Sequence, residues 1–418
     1  INSQRNIDHD LHLFVSIANK TIHHILRHGS SPNGLQMVLR KLLSNLSLLF
    51  LLGYALFSQP IHVILLAMTV FSSNTLDNQD NQIIDYVGMA AEKYRDSHLK
   101  LQLLCQLSPQ YLPLVLEFST ILVEDISKNE CPPCIHSLMF EDSFQITSAL
   151  YHSILPAFVF QPLDDLALTC INSWVTYICY AEDNSTIRYK DEVAPFLQYL
   201  LSHFSVNSPS LSDSISHIDK VLKAATEIIE VAPRLLDLEL KKYLNQVVFD
   251  EGKFGSVYLN FLLEDANTYM EEVGTFVTLV IAILRRDILH FARTLATPET
   301  GHICNILTQL TAFPGIPMHE ETILDQLISF WEDLANVFID DDGEVSFDEL
   351  YPKEGGRDFH TQLFTKVVGI YWSKIRIPED TNTFTSIKLE FMQYRVNVAD
   401  LFIVIYSLLK HPFYQSLC

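Results

Sequence analysis

Four stretches of this sequence hold residue types that could do chemistry. Asp340-Asp-Asp-Gly-Glu-Val-Ser-Phe-Asp-Glu349 is spaced like a calcium loop: with Gly343 at the sixth position, Asp340 falls third, Asp342 fifth, Val345 eighth and Glu349 twelfth, as an EF-hand requires. The first position fails, because it is Phe338, which has no side-chain oxygen and continues an apolar stripe through Leu324, Leu327, Trp331 and Leu334. No second such loop accompanies it, so a solvated acidic loop is expected. Gly252-Lys-Phe-Gly-Ser-Val-Tyr258 resembles the phosphate-covering loop of a protein kinase, but Asp250 replaces its first glycine and no VAIK, HRD or DFG segment follows. His24 and His28 have the i, i+4 spacing of a zinc-binding helix with His23 beside them, yet residue 25 is Ile rather than Glu and no third ligand is evident. Cys131-Pro-Pro-Cys134 is half of a zinc site without a second CxxC to complete it. No Ser, Cys or Asp stands in a glycine-framed elbow. We therefore expect no catalytic residue, no bound metal and no cofactor.

The elements around these stretches read as helices. Between 214 and 232 the apolar residues Ile215, Ile218, Leu222, Ala225, Ile229 and Ala232 recur in alternating steps of three and four, with Ser214 placed to cap and Pro233 to stop the helix. A second stripe follows through Leu236, Leu240, Tyr243 and Val247. Comparable segments lie near 9–28, 35–52, 60–72, 80–95, 109–128, 141–160, 163–180, 191–204, 254–293, 299–312, 320–338, 359–375 and 384–409. Paired, they give a period near the ~40 to 47 residues of HEAT and armadillo repeats. One hairpin cannot bury its stripe alone, so the expected fold is all-α: hairpins stacked into a continuous right-handed superhelical HEAT-repeat solenoid over residues 1–418. Trp174, Trp331 and Trp372 lie on these stripes and are expected in the core.

Composition agrees. Hydrophobic residues are 48% of the 418, enough for a large core, and only 13 are Gly, few for a chain built on tight turns. Asp plus Glu number 50 against 28 Lys plus Arg, a formal charge of −22. A field of that sign repels phosphate backbones and anionic lipids and attracts basic proteins, so direct nucleic-acid binding is not expected and basic protein cargo is. The 7 Cys are odd in number and thinly spread, which points to a reduced, intracellular setting. Leu42 to Ile61 is an uncharged run of bilayer length, but Ser44, Asn45, Ser47, Ser58, Gln59 and Pro60 interrupt it, so two helices separated at Pro60 are expected rather than membrane insertion.

Phe313-Pro-Gly-Ile-Pro-Met-His-Glu-Glu-Thr322, followed by Leu327-Ile-Ser-Phe-Trp-Glu-Asp-Leu334, resembles the importin-beta superfamily in its importin-thirteen and transportin-SR branch. Trp372-Ser-Lys-Ile-Arg-Ile-Pro-Glu-Asp380 and Phe391-Met-Gln-Tyr-Arg-Val-Asn-Val-Ala-Asp400 resemble two further elements of that family in the same order. Upstream, Lys41-Leu-Leu-Ser-Asn-Leu-Ser-Leu48 and Cys170-Ile-Asn-Ser-Trp-Val-Thr-Tyr177 resemble its second and fourth repeats. The chain is similar in these elements to a fungal bidirectional member of the branch, and on that likeness the chain, which opens at Ile1 without Met, is expected to be the N-terminal half of a longer receptor lacking its first repeat. The join from Phe50 to Ser58 is shorter than the family's, and the loop after Phe338 more acidic.

The resemblance implies a nuclear transport receptor, shuttling between nucleus and cytoplasm. It would bind the small GTPase Ran in its GTP form through residues 1–180, carry cargo in an arch over 181–418, and meet FG nucleoporins on its convex side. The residues expected to contact Ran are Gln36, Arg40, Asn45, Gln82, Asp85 and Asn172, polar positions on predicted inner helices. Another HEAT scaffold, such as a phosphatase or kinase regulatory subunit, or an EF-hand regulated protein, would share much of this pattern.

Overall fold

The structure, a computed structural model, describes residues 2–28, 36–52, 60–73, 84–93, 103, 106–107, 111–128, 135–136, 161–184, 211–232, 236, 238–266, 268–295, 297–339, 356–377 and 381–415. Among them the chain is helical, with no strand; an isolated bridge joins Pro317 to Glu321. It divides into two units, Ile1–Tyr199 and Leu200–Cys418.

The first unit holds α1 (Asn2–His28), α2 (Gln36–Leu52), α3 (Pro60–Ser73), α4 (Tyr86–Lys93), α5 (Leu112–Lys128) and α6 (Gln161–Asn184). Pro60 opens α3, where a missing N–H costs nothing, so the apolar run read above is two helices. Among the described residues no helix is long and apolar enough to cross a membrane. α5 lies between α2 and α6 and also meets α3. Its sequence explains the position: Leu114, Val115, Leu116, Phe118, Ile121, Leu122 and Val123 bury faces all round the helix, which a surface helix cannot do. Phe50 of α2 meets Phe118 edge to face at 5.8 Å.

The second unit holds α7 (Leu211–Val231), α8 (Leu238–Phe249), α9 (Phe254–Glu264), α10 (Met270–Arg286), α11 (Ile288–Thr294), α12 (Pro298–Thr311), α13 (Ile323–Ile339), α14 (Gly356–Lys374), α15 (Thr381–Leu409) and α16 (His411–Gln415). α7, α10, α13 and α15 pack side by side in that order, and α8, α12 and α14 form a second row behind them. The stretch 254–293, read as one segment, is three helices. The backbone of Asp265 turns to φ −138°, and its carboxylate Oδ2 accepts the Thr268 hydroxyl at 2.8 Å; Asp287 makes the second break at φ −137°. The α7 stripe is as the spacing predicts, although the helix begins at Leu211, so Ser214 lies inside it rather than capping it. The next stripe runs through Leu236, Leu240, Leu244 and Val248, which leaves Tyr243 outside.

Trp331 is the centre of this unit. Fully buried on α13, it donates Nε1 to the Thr311 hydroxyl of α12 at 3.1 Å and meets Phe364 of α14 edge to face at 6.2 Å. Trp174 is equally buried on α6, whereas Trp372 is 40% exposed; Tyr371 beside it takes the core position. The glycines of the kinase-like stretch serve packing. Gly252 turns at φ +72°, and a Cβ on Gly255 would stand 2.0 Å from the Val248 carbonyl oxygen, because α9 folds back tightly on α8.

Two alanine substitutions should separate packing from propensity. Gly255→Ala forces α8 and α9 apart and should cost about 1–3 kcal/mol or more. Gly301→Ala, in the interior of α12 with nothing within 4 Å of the added carbon, should stabilise by roughly 0.5–1 kcal/mol. Thermal and denaturant melts of both variants check the pair; equal effects would contradict the α8–α9 contact.

Candidate functional site

The richest polar chemistry among the described residues surrounds the N-terminus of α13. An α-helix leaves its first N–H groups without intrahelical acceptors. Here Glu321 supplies one: its Oε2 accepts the Leu324 N–H at 3.0 Å, while the residue is only 1% exposed and Oε1 has no hydrogen-bond partner. The loop before it is wound tightly, with Gly315 at φ 108° and Met318 at φ 64°, the left-handed region. Met318 N–H donates to the Glu321 carbonyl at 2.8 Å, and Ile316 N–H to Glu320 Oε2 at 2.8 Å.

Lys374, at the end of α14, fastens this loop. Its ammonium donates to the carbonyls of Phe313 at 2.7 Å and Gly315 at 2.6 Å. Tyr371, one turn earlier, donates its hydroxyl to the Leu324 carbonyl at 2.9 Å. From α15, Asn397 Nδ2 donates to Asp325 Oδ1 at 3.0 Å, and Gln393 Nε2 to Asn397 Oδ1 at 3.0 Å. Burial pushes the Glu321 carboxyl up to about 7, against the opposing pull of the Leu324 N–H and the Lys374 charge. Burial also lowers Lys374, against the charges of Glu321 and Glu320. Desolvation thus outweighs the local attraction at both partners.

Beside this junction, the exposed face of the α7, α10, α13 and α15 row carries two grooves. The larger, ≈ 510 Å³, lies over α7, α10 and α13, with carboxylates of Glu227, Glu230 and Glu271 and the single cation Lys223. The smaller, ≈ 390 Å³, opens between α13 and α15 and contains Asp325 and Glu390. Further along, Glu332 is raised by burial and by the neighbouring charges of Asp400 and Asp333, while Arg285 of α10 pairs with Asp333 at 2.8 Å.

The residues expected to contact Ran fall in separate places. Arg40 and Asn45 are exposed on α2, and Arg40 lies near enough to the half-buried Glu117 of α5 to favour its charged form against the burial that raises it. Gln36 is the first residue of α2, and Gln82 lies outside the described residues. Asp85 already serves the fold: its Oδ1 accepts Gly88 N–H at 2.9 Å, capping α4, and Asn19 Nδ2 of α1 at 2.7 Å. Asn172 is 8% exposed within α6 rather than on an open face.

The other motifs resolve differently. His23 is half-buried, meets Phe71 edge to face at 6.1 Å, and is lowered chiefly by burial and then by Arg27 and His24. Among the described residues no three His, Cys, Asp or Glu are grouped to hold a metal. Phe338, in the last turn of α13, has its ring stacked on His360 at 5.5 Å; the acidic stretch from Asp340 and the Cys131–Cys134 pair lie outside the described residues. Burial pushes the Cys304 thiol up to about 12, leaving no useful thiolate at neutral pH. The junction cluster was not foreseen. Its signal is the stripe Phe391, Tyr394, Val398, Leu401 and Ile405, in which one core position carries a hydroxyl. No protein-family model matches the chain, and no curated protein matches it.

Glu321→Gln isolates the buried carboxyl. Its pKa is about 7 folded and near the ordinary carboxylate value unfolded, so the folded state holds the proton more tightly. Wild-type stability from this group is therefore greatest below the unfolded value and is lost as pH rises to about 7. The stability of the variant relative to wild type should grow across that window by on the order of 3 kcal/mol and stay flat above it. Urea melts at a series of pH values measure this; a difference independent of pH would contradict the buried, raised carboxyl.

Proposed function

We propose that this chain is a non-enzymatic helical-repeat receptor for protein partners, and that it acts as a nuclear transport receptor of the importin-beta kind. On this reading its helices are HEAT hairpins of a right-handed solenoid. Residues 1–180 engage Ran in its GTP form, 181–418 hold basic protein cargo, and FG nucleoporins meet the outer side as the receptor shuttles between nucleus and cytoplasm. The observation that carries the reading is the row α7, α10, α13 and α15, whose exposed face sets Glu227, Glu230, Glu271, Asp325 and Glu390 along two grooves against the single cation Lys223. A surface of that kind suits a cationic protein.

The segments that carry the family resemblance support the same reading from another side. Phe313 to Thr322, Trp372 to Asp380 and Phe391 to Asp400 lie far apart in sequence, yet Phe313, Gly315, Glu321, Lys374, Tyr394 and Asn397 surround one helix terminus. Their residue types are those that the junction of stacked hairpins needs.

The chain should retain GTP-locked Ran and not GDP-bound Ran in a pull-down. Ran-GTP should change the affinity for a basic cargo by ~5 to 150-fold, as linkage between two sites requires. That affinity should also fall several-fold between ~0.05 M and ~0.2 M salt, over which screening shortens the reach of the acidic field. Binding of the basic partner without any response to Ran would leave a scaffold and remove the transport receptor; salt-independent binding would remove the electrostatic account.

A further inference from the structure

The groove between α13 and α15 has the features of a built site. Asp325 and Glu390 face it, and among the described residues neither has a Lys or Arg partner. The amides beside them are engaged with one another and with one carboxylate oxygen: Asn397 Nδ2 donates to Asp325 Oδ1, and Gln393 Nε2 to Asn397 Oδ1. The nearby cation Lys374 is turned to the loop carbonyls of Phe313 and Gly315. Tyr394 lines the same groove, is 1% exposed, and its hydroxyl has no hydrogen-bond partner. Leu389, 81% exposed, and Met318 form an apolar wall.

These features select the guest. An anion would meet two carboxylates. An apolar group would leave both charges and the Tyr394 hydroxyl unanswered, and a buried polar group without a partner costs stability. A cation bearing several N–H donors satisfies the carboxylates and can donate to the hydroxyl lone pairs, while its methylenes lie on Leu389 and Met318. The groove, ≈ 390 Å³, is open to one side, so the guest can remain attached to a larger body. We infer that this groove receives one arginine or lysine side chain projecting from a basic segment of a partner protein. The inference rests on the reading that this face holds a basic partner, and it narrows that reading to one anchoring position.

Fluorescence anisotropy with labelled arginine-rich and lysine-rich peptides, at low and moderate salt, tests it on the whole chain. Asp325→Asn with Glu390→Gln should raise Kd about ten-fold, the sum of two partly exposed charge pairs. Asp250→Asn with Glu251→Gln, the same charge change at exposed positions that line neither groove, should raise it less than about two-fold, as screening of a non-contacting charge allows. Tyr394→Phe should raise Kd a few-fold with an unchanged melting temperature, since the hydroxyl it removes has no protein partner to lose. The ratio of the two peptides identifies the preferred cation. Equal losses in the two double variants would overturn the anchoring site and leave the acidic face as a diffuse one. Failure of wild type to bind either peptide at low salt would overturn both.

Discussion

Much of this architecture depends on one constraint: α13 has an apolar stripe too wide for a single neighbour to cover. Ile323, Leu324, Leu327, Ile328, Phe330, Trp331, Leu334 and Ala335 are all buried, and α10, α11, α12 and α15 each contact the helix. At about 25 cal/mol per Å² of apolar surface, leaving one flank open would forfeit several kcal/mol. Side-by-side stacking follows, and with it the two-row arrangement of the second unit. α5 meets the same requirement in the first unit with α2 and α6.

Stacking also decides where polar chemistry can sit. Within a helix the backbone satisfies itself, so the unsatisfied groups collect at the ends. At the end of α7, Arg286 of α10 donates to the Ile229 and Glu230 carbonyls, closing a terminus where a cation is favoured. At the start of α13, Glu321 does the converse job. A carboxylate there gains from the N–H groups and the helix dipole but loses its water. The carboxyl rises to about 7, so the loss of water is the larger effect. The fold retains a group close to changing its charge because the same group holds the loop and helix together.

The helices were legible in the sequence because a 3.6-residue period survives any detail of packing. The α7 stripe, the entry of α3 at Pro60 and the burial of Trp174 and Trp331 follow from it. Finer choices did not. Tyr243 and Leu244 both fit the period, and the flanking Leu240 and Val248 at i, i+4 select Leu244. The breaks at Asp265 and Asp287 use no Gly or Pro, so periodicity runs straight through them. Trp372 and Tyr371 are adjacent aromatics, and the hydroxyl that reaches the Leu324 carbonyl places the tyrosine inside.

The junction cluster was hidden for a more general reason. Glu321, Lys374, Tyr394 and Asn397 come from three segments, and nothing about any one of them announces a partner. Their types acquire meaning only once α14 and α15 are laid against α13. The converse holds for the glycine-rich stretch at 252–258, whose spacing resembles a nucleotide loop. In the fold Gly255 is needed because a carbonyl of α8 occupies the place of its missing side chain. Motif and mechanism part company whenever packing demands the same residue that chemistry would. What separates them is whether the neighbours leave polar capacity unspent. At Gly255 the neighbour is a backbone carbonyl and the space is filled. At Asp325 and Glu390 one amide reaches one carboxylate oxygen, Lys374 faces the loop carbonyls, and two negative charges remain at the rim of a groove in a chain of net charge −22. Self-repulsion of that size opposes the folded state, and a cationic partner on this face would relieve part of it, so binding and stability should rise together.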